Sequence, residues 1–255
     1  MFNRIAAVVR SYNNPHVAKQ VKNLLDCGIG RVVVVINAER DAGSTRSFLG
    51  DLVNSDGRVK ILEINRGYTW STALNRAVMA IQMKNVRRKA AGKDAFELVL
   101  NISVEALITR AHLMEMVAAI ADTNVAVVGT TFQGRQDGNV TGLGSSYNHP
   151  RNTCMLIRLS AFGFGGGFIG LCDDRGGMED LEFILRLRAL ADQKIVMLNL
   201  FVPLVLGKHY HQATKEEGER YAMDQIIGYW RSHFEAGTVE RDRIESIISD
   251  MRLEA

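Results

Sequence analysis

Five consecutive residues, Val32-Val33-Val34-Val35-Ile36, are β-branched, with no polar residue among them. Successive side chains of a strand point to opposite faces, so a run without alternation needs an apolar cover on both sides. Such a run suits a strand inside a parallel sheet layered by helices. The rest of the N-terminal half follows suit. Ile5 to Val9, Val59 to Ile64, Phe96 to Leu100 and Val125 to Val128 read as further strands. Between them, Val17, Val21, Leu24 and Leu25 recur at helical spacing, and Ser44 to Val53, Ser71 to Met83 and Leu107 to Ala121 read as helices. Strand–helix alternation with short links predicts right-handed crossovers, hence an α/β, doubly wound, mostly parallel, Rossmann-like sheet.

The second half has a different texture. Gly134 to Ser146 is polar and glycine-rich and reads as a loop or hairpin, Cys154 to Leu159 as a strand, and the glycine-rich stretch Ala161 to Gly177 as a shaped loop. Glu179 to Leu190 reads as a helix, Ile195 to Leu206 as one or two strands, and Lys215 to Trp230 and Val239 to Met251 as amphipathic helices. The expected organisation is one α/β domain over residues 1–212 and a C-terminal helical appendage over 213–255. A hydrophobic share of 47% with 23 glycines and 3 prolines excludes a disordered or collagen-like chain. A net charge of +3 is too small to point to nucleic acid. Three cysteines, an odd count without C-x-x-C, argue against a disulfide framework or zinc ribbon and fit a reducing, cytoplasmic setting. No apolar run approaches the ~18 residues of a membrane span, and the apolar core of the N-terminus is too short for a signal peptide.

In an open parallel sheet, ligands bind beyond the C-terminal strand ends. There the sequence places Ser11, Tyr12, Asn13 and Asn14, then Asn37, Glu39 and Asp41, then Asn65-Arg66-Gly67, then Asn101-Ile102-Ser103-Val104-Glu105. Each group alone reads equally well as helix caps and turns. Four of them along one sheet edge predict a binding crevice. The first link, S-Y-N-N-P, is no glycine-rich dinucleotide fingerprint, and no P-loop occurs, which disfavours NAD enzymes and P-loop NTPases. Amides and carboxylates in such a crevice suit hydrogen bonds to a base and a ribose.

The order V-V-R-S-Y-N, V-V-V-V-I-N-A-E-R-D, N-R-G-x(7)-N, L-V-L-N-I-S-V-E, G-G-G-F and M-E-D-L-E-F-I-L-R-L resembles the family-2-like glycosyltransferases of GT-A fold, from residue 4 to about residue 211. The resemblance implies that Ser11, Asn13, Asn37 and Asp41 hold the nucleobase and ribose of a UDP- or GDP-type sugar donor. It places Asn65, Gly67 and Asn75 near the base and the sugar-diphosphate. It makes Glu179 and Asp180 the acceptor-facing acids, with Asp180 the base that deprotonates a hydroxyl acceptor in an inverting transfer. The family's D-x-D, which holds a divalent metal on the diphosphate, corresponds here to Asn101-Ile102-Ser103, whose amide and hydroxyl oxygens are weaker ligands. Two readings follow. Either Glu105, with His209 or His211 of K-H-Y-H, holds Mn²⁺ or Mg²⁺, or the metal is held weakly or catalysis is lost, the last making the chain a non-catalytic binder of nucleotide or glycan, or a partner subunit. A nucleotidyltransferase is disfavoured, because S-Y-N-N-P lacks a basic, glycine-rich triphosphate loop.

Other features carry plainer readings beside functional ones. Glu179 and Asp180 also complement the dipole of a helix start. Glu182 and Arg186, four residues apart, read as a helix-surface pair. Asp173 and Asp174 fit a substitute metal site or solvated loop acids. Arg87, Arg88, Lys89 and Lys93 fit the C-terminal end of a helix, with peripheral contact to an anionic membrane as the second reading. Ile226, Ile227, Trp230 and Phe234 fit a core or a homo-oligomer face. Trp70 fits ring stacking or core packing.

Overall fold

A computed structural model describes residues 2–11, 13–41, 43–65, 69–133, 153–169, 179–190, 193–203 and 215–253 of the chain. The elements run β1 (Ile5–Ser11), α1 (Val17–Asp26), β2 (Arg31–Asn37), α2 (Ala38–Asp41), α3 (Ser44–Leu49), α4 (Leu52–Ser55), β3 (Val59–Ile64), α5 (Trp70–Ala90), β4 (Leu98–Ser103) and α6 (Arg110–Ala119). They continue with β5 (Val125–Gln133), β6 (Cys154–Arg158), α7 (Ala161–Gly165), α8 (Glu179–Leu190), β7 (Lys194–Pro203), α9 (Lys215–His233) and α10 (Val239–Leu253).

The strands form one seven-stranded sheet in the order β3-β2-β1-β4-β6-β5-β7. Neighbours are parallel except at β6, which runs antiparallel to both β4 and β5. The order reverses between β1 and β4, so their C-terminal ends diverge from a switch point at which an open α/β sheet leaves a crevice.

The β-branched run behaves as its composition dictates. Val32, Val34 and Ile36 enter the core on one face of the sheet, and Val33 and Val35 enter the core on the other. Each such buried side chain contributes about 1.5–3 kcal/mol of transfer free energy. The first core takes the apolar stripe of α1, Val17, Val21, Leu24 and Leu25, with Leu113 and Met116 of α6. The second takes Ala73, Leu74, Ala77, Val78 and Ile81 of α5 with Phe183 and Leu187 of α8. This division decides which strand residues face the crevice from which side.

Several boundaries differ from the sequence reading, each for a local reason. The helix expected over Ser44 to Val53 is two short helices, because Gly50 ends α3 with φ 49°, a left-handed turn. A further short helix, α2, follows β2 directly. The stretch expected as a shaped loop contains α7, where Phe162 packs on Phe183 at 5.4 Å between ring centroids. The helix expected over Ser71 to Met83 continues to Ala90, since its apolar face extends to Ile81 and Asn85 then anchors it to the next strand. Asn85 donates to the Phe96 carbonyl at 2.8 Å and accepts from the Phe96 amide at 2.7 Å, like one more strand residue. Ile226, Ile227 and Trp230 are buried, Trp230 stacks on Phe234 at 5.4 Å, and α10 packs on α8 and α9. The core alternative therefore describes these three. Gly134 to Ser146 lies outside the described residues.

Candidate functional site

Register and side-chain alternation place the candidate residues. Arg10 of β1 pairs with Val35 on one side and with Ser103 on the other, and Val8 pairs with Asn101. Val8, Val35 and Val99 face the α5–α8 core, so Arg10, Asn37, Asn101 and Ser103, in step with them, lie on that same face. The orientation of α8 follows from its neighbours. It ends at Leu190, and β7 starts at Lys194 beside Val125, the first residue of β5. The C-terminal end of α8 therefore lies at the edge where the strands begin. Its first turn, with Glu179 and Asp180 each 5% exposed, lies at the opposite edge, where they end. Asn37, Asn101 and Asp180 thus share one layer and one rim. The helix dipole favours an anion at that first turn.

Ser11, Asn13 and Asp41 form a second group at the β1–β2 end. Asp41 is fully buried, and its carboxylate accepts from the Thr45 amide at 2.8 Å and from the Thr45 hydroxyl. It thereby caps α3, whose first residue follows a glycine that offers no side chain. Ser11 Oγ lies 3.1 Å from Thr45 Oγ1, and the Asn13 amide points at Asp41 Oδ2 at 3.5 Å. Asn13 is left-handed, with φ 47°, a conformation asparagine tolerates better than most residues. Asp41 and Thr45 together fix the loop that follows β1.

The third group holds the glycine-rich segment under α5. Asn75 Nδ2 donates to the Phe168 carbonyl and Asn75 Oδ1 accepts from the Phe168 amide, both at 2.8 Å. Both ends of the Asn75 amide thus position the G-G-G-F turn. Gly167 has φ 87°, and a Cβ there would stand 2.6 Å from Asn75 Oδ1. A Gly167→Ala protein is therefore expected to lose about 2 kcal/mol from the left-handed backbone and the clash, read as a lowered midpoint in urea. An unchanged midpoint would show that this turn does not constrain the fold.

Glu182 and Arg186 are not a surface pair. Their side chains are 0% and 7% exposed, because α8 is covered by the sheet on one side and by α10 on the other. Arg186 Nε donates to Glu182 Oε1 at 2.9 Å, and its Nη2 to Glu182 Oε2 at 2.7 Å and to the Gly167 carbonyl at 2.6 Å. Burial pushes the Glu182 carboxyl above its ordinary value, and Arg186 pulls back only part of that rise.

Two residues of this rim had no role in the sequence reading or an open one. Arg10 is 7% exposed, and its guanidinium carbon lies 2.9 Å from the centroid of the Trp70 ring. Trp70 is 37% exposed, so it stacks on a cation at the crevice edge instead of sinking into the core. The available signal was one arginine, next to the closing serine, in a strand of otherwise apolar residues.

The metal question turns on the loop after β4. Gln20 of α1 holds that loop, donating to the carbonyls of Ser103 at 3.2 Å and Ala106 at 2.8 Å. Ser103 Oγ donates to Glu105 Oε2 at 3.1 Å. The donor set is one carboxylate, already engaged by a hydroxyl, with a buried amide and that hydroxyl beside it. Among the described residues no group of three or more His, Cys, Asp or Glu converges. These donors do not by themselves make a site for a hard divalent cation, which prefers several anionic oxygens. His209, His211, Asp173, Asp174 and Gly67 lie outside the described residues, and Asn65 is exposed just after β3. A cavity of about 340 Å³ among Phe2, Cys27, Arg110 and Met114 adjoins the start of β1, at the edge away from this rim.

No protein-family model matches the chain, and no curated protein matches it in sequence. Solved structures do match in fold. A mannosyltransferase from Pyrobaculum calidifontis, solved with GDP-Man and Mn²⁺, is 16% identical, with a TM-score of 0.66 over 96% of this chain and 68% of its own. TarS from S. aureus, solved with UDP-GlcNAc, is 16% identical, with a TM-score of 0.62 over 98% of this chain and 72% of its own. GalNAc-T7, solved with UDP, GalNAc and Mn²⁺, is 9% identical, with a TM-score of 0.58 over 97% of this chain and 54% of its own.

Proposed function

We propose, from a chain whose fold is that of the GT-A glycosyltransferases, that it transfers a sugar from a UDP- or GDP-type donor to a hydroxyl acceptor with inversion. The observation that supports this best is the position of Asp180. It stands in the first turn of α8 at the rim where the strands end, on the face that carries Arg10, Asn37 and Asn101. In the proposed reaction the acceptor hydroxyl attacks the anomeric carbon and Asp180 takes its proton. The bond from that carbon to the diphosphate oxygen breaks, and the diphosphate leaves with the electron pair. A single displacement inverts the centre.

The diphosphate gains negative charge as it leaves, and a fixed positive charge nearby lowers the barrier. Arg10 is the cation of the switch point, and its stacking on Trp70 holds the guanidinium in place. The loop set by Asp41 and Thr45 receives the base and ribose, with Ser11, Asn13 and Asn37 as the polar groups around it. Glu105 is the carboxylate that Mn²⁺ or Mg²⁺ would meet, and no step of this scheme depends on that ion. The neutral Asn101-Ile102-Ser103 favours a second reading, in which a nucleotide or glycan is bound without transfer.

Thermal unfolding with UDP, GDP, CDP and dTDP, each with EDTA and with Mn²⁺, tests the reading. A ligand at 100 times its Kd adds about 2.7 kcal/mol, roughly 5–10 °C for a chain of this size. One of the four is expected to give such a shift even in EDTA. Absence of any shift with all four removes the donor site. A shift without donor turnover leaves the binding reading.

A further inference from the structure

We propose that the outer face of α5 docks on an anionic lipid surface. The helix has 21 residues and contains no Asp or Glu, against five cations, Arg76, Lys84, Arg87, Arg88 and Lys89. The whole chain, by contrast, is nearly balanced, at +3. The inner face of α5, Ala73, Leu74, Ala77, Val78 and Ile81, fills the core. The outer face is not the polar surface that such a helix ordinarily presents. Met79, Met83 and Val86 are 60%, 58% and 70% exposed. They succeed one another by four and three residues, so they form one stripe along the helix. With Trp70 they make up four of the seven large exposed hydrophobics among the described residues.

The cations rim this stripe. At 100° per residue, Arg76 and Arg87 fall beside Met83 on one side and Lys89 on the other, while half-buried Lys84 projects between Ala73 and Ala77 on the core side and is left out of the surface. A helix dipole accounts for Arg87, Arg88 and Lys89 in the last turn and not for Arg76. Arg88 has a task in the fold, donating to the Asp94 carbonyl at 2.5 Å and lying over Phe96 at 4.4 Å, so it is left out of the surface. What remains is an apolar stripe whose exposed charged neighbours on the helix are all positive, with neutral Gln82 between Val86 and Lys89. Phosphate headgroups complement that border, and acyl chains accept the methionines and the valine. A nucleic acid would complement the cations and leave the apolar stripe in water. The placement is independent of sugar transfer, and the stripe begins about 13 Å along the helix from Trp70 at the crevice.

The test is sedimentation of the full chain with vesicles of neutral phosphatidylcholine and with vesicles that include phosphatidylglycerol, at low and high salt. Binding is expected only to the anionic vesicles, weakening as salt rises. Each neutralised cation is expected to reduce affinity by about fivefold, so Arg76→Gln, Arg87→Gln and Lys89→Gln together give roughly 100-fold. Met79→Glu with Met83→Glu is expected to abolish binding. Every substituted side chain is exposed, and an unchanged unfolding midpoint checks that each variant is folded. No binding by the native chain, equal binding to neutral vesicles, or binding indifferent to these substitutions would overturn the proposal. So would binding to duplex RNA that depends on the cations and not on the methionines, without vesicle binding.

Discussion

An Asp180→Asn protein is expected to lose sugar transfer by about 10³-fold, within the ~10²–10⁴ that a positioned base contributes, while still binding its nucleoside diphosphate. The substitution keeps shape and size and removes only the ability to take a proton. Asp180 stands at the start of α8, whereas Asp41 and Thr45 belong to the segment after β2 and, among the described residues, share no hydrogen bond with it. Turnover and nucleotide affinity should therefore separate. The measurement is initial rates of donor consumption beside titration calorimetry with the preferred diphosphate. Retained turnover would take the role of base away from Asp180. Lost affinity together with lost turnover would mean that Asp180 shapes the donor pocket. A Glu179→Gln protein serves as the comparison, since Glu179 shares the turn and the burial and is expected to affect the rate less.

Arg186→Met is expected to have the largest effect on stability, about 3–5 kcal/mol, because it leaves a buried carboxylate without its partner. For a chain of this size that corresponds to a fall of roughly 6–20 °C in the melting midpoint. It also removes the donor to the Gly167 carbonyl, so the glycine-rich turn should loosen as well. The pH dependence has a definite sign. Burial raises the Glu182 carboxyl above 4.5, with Arg186 opposing. A raised value in the fold means that stability is fully present below about 4.5 and is lost as pH climbs through the raised value. Without Arg186 the rise is larger, so the deficit of the variant should be smallest in acid, where only the lost bond to the Gly167 carbonyl counts, and should widen as pH climbs above the ordinary carboxyl range. A deficit that does not change with pH would show that the pair does not govern the loss. Glu182→Gln combined with Arg186→Met should recover part of the midpoint, since it removes the charge that burial penalises.

How much of this was legible depended on how local the determinant was. The first five strands were visible for different reasons: β2 is a β-branched run with one good solution, a strand covered on both faces, whereas β3 alternates, with Lys60 and Glu63 exposed between buried or half-buried neighbours, as suits a sheet edge. The positions of the candidate residues followed from the strands: Asn37 closes β2 and Asn101 stands in the last half of β4, whereas Asp41 closes α2, a helix the sequence did not announce. The antiparallel direction of β6 was not legible, because no residue from Cys154 to Arg158 encodes direction; its pairing with Leu98 to Ile102 does. Glu182 and Arg186 were misread because four-residue spacing describes a pair on any helix face, and burial is decided by what α8 packs against. Arg10 escaped because one cation at a strand end resembles a boundary residue. Only the fold reveals Trp70 above it and Ser103 beside it.

The position of β6 also affects the order in which the chain can assemble as it leaves the ribosome. By the time β4 has emerged, β1, β2 and β3 are present to build half of the sheet on one side of it. Its other neighbour, Cys154–Arg158, is synthesised some fifty residues later. Through that interval Leu98–Ser103 is a bare hydrophobic margin, open to pairing with another nascent copy. Chaperone demand during synthesis should therefore peak between the completion of β4 and the arrival of β6, and a pause in translation within that window should increase aggregation more than a pause after it.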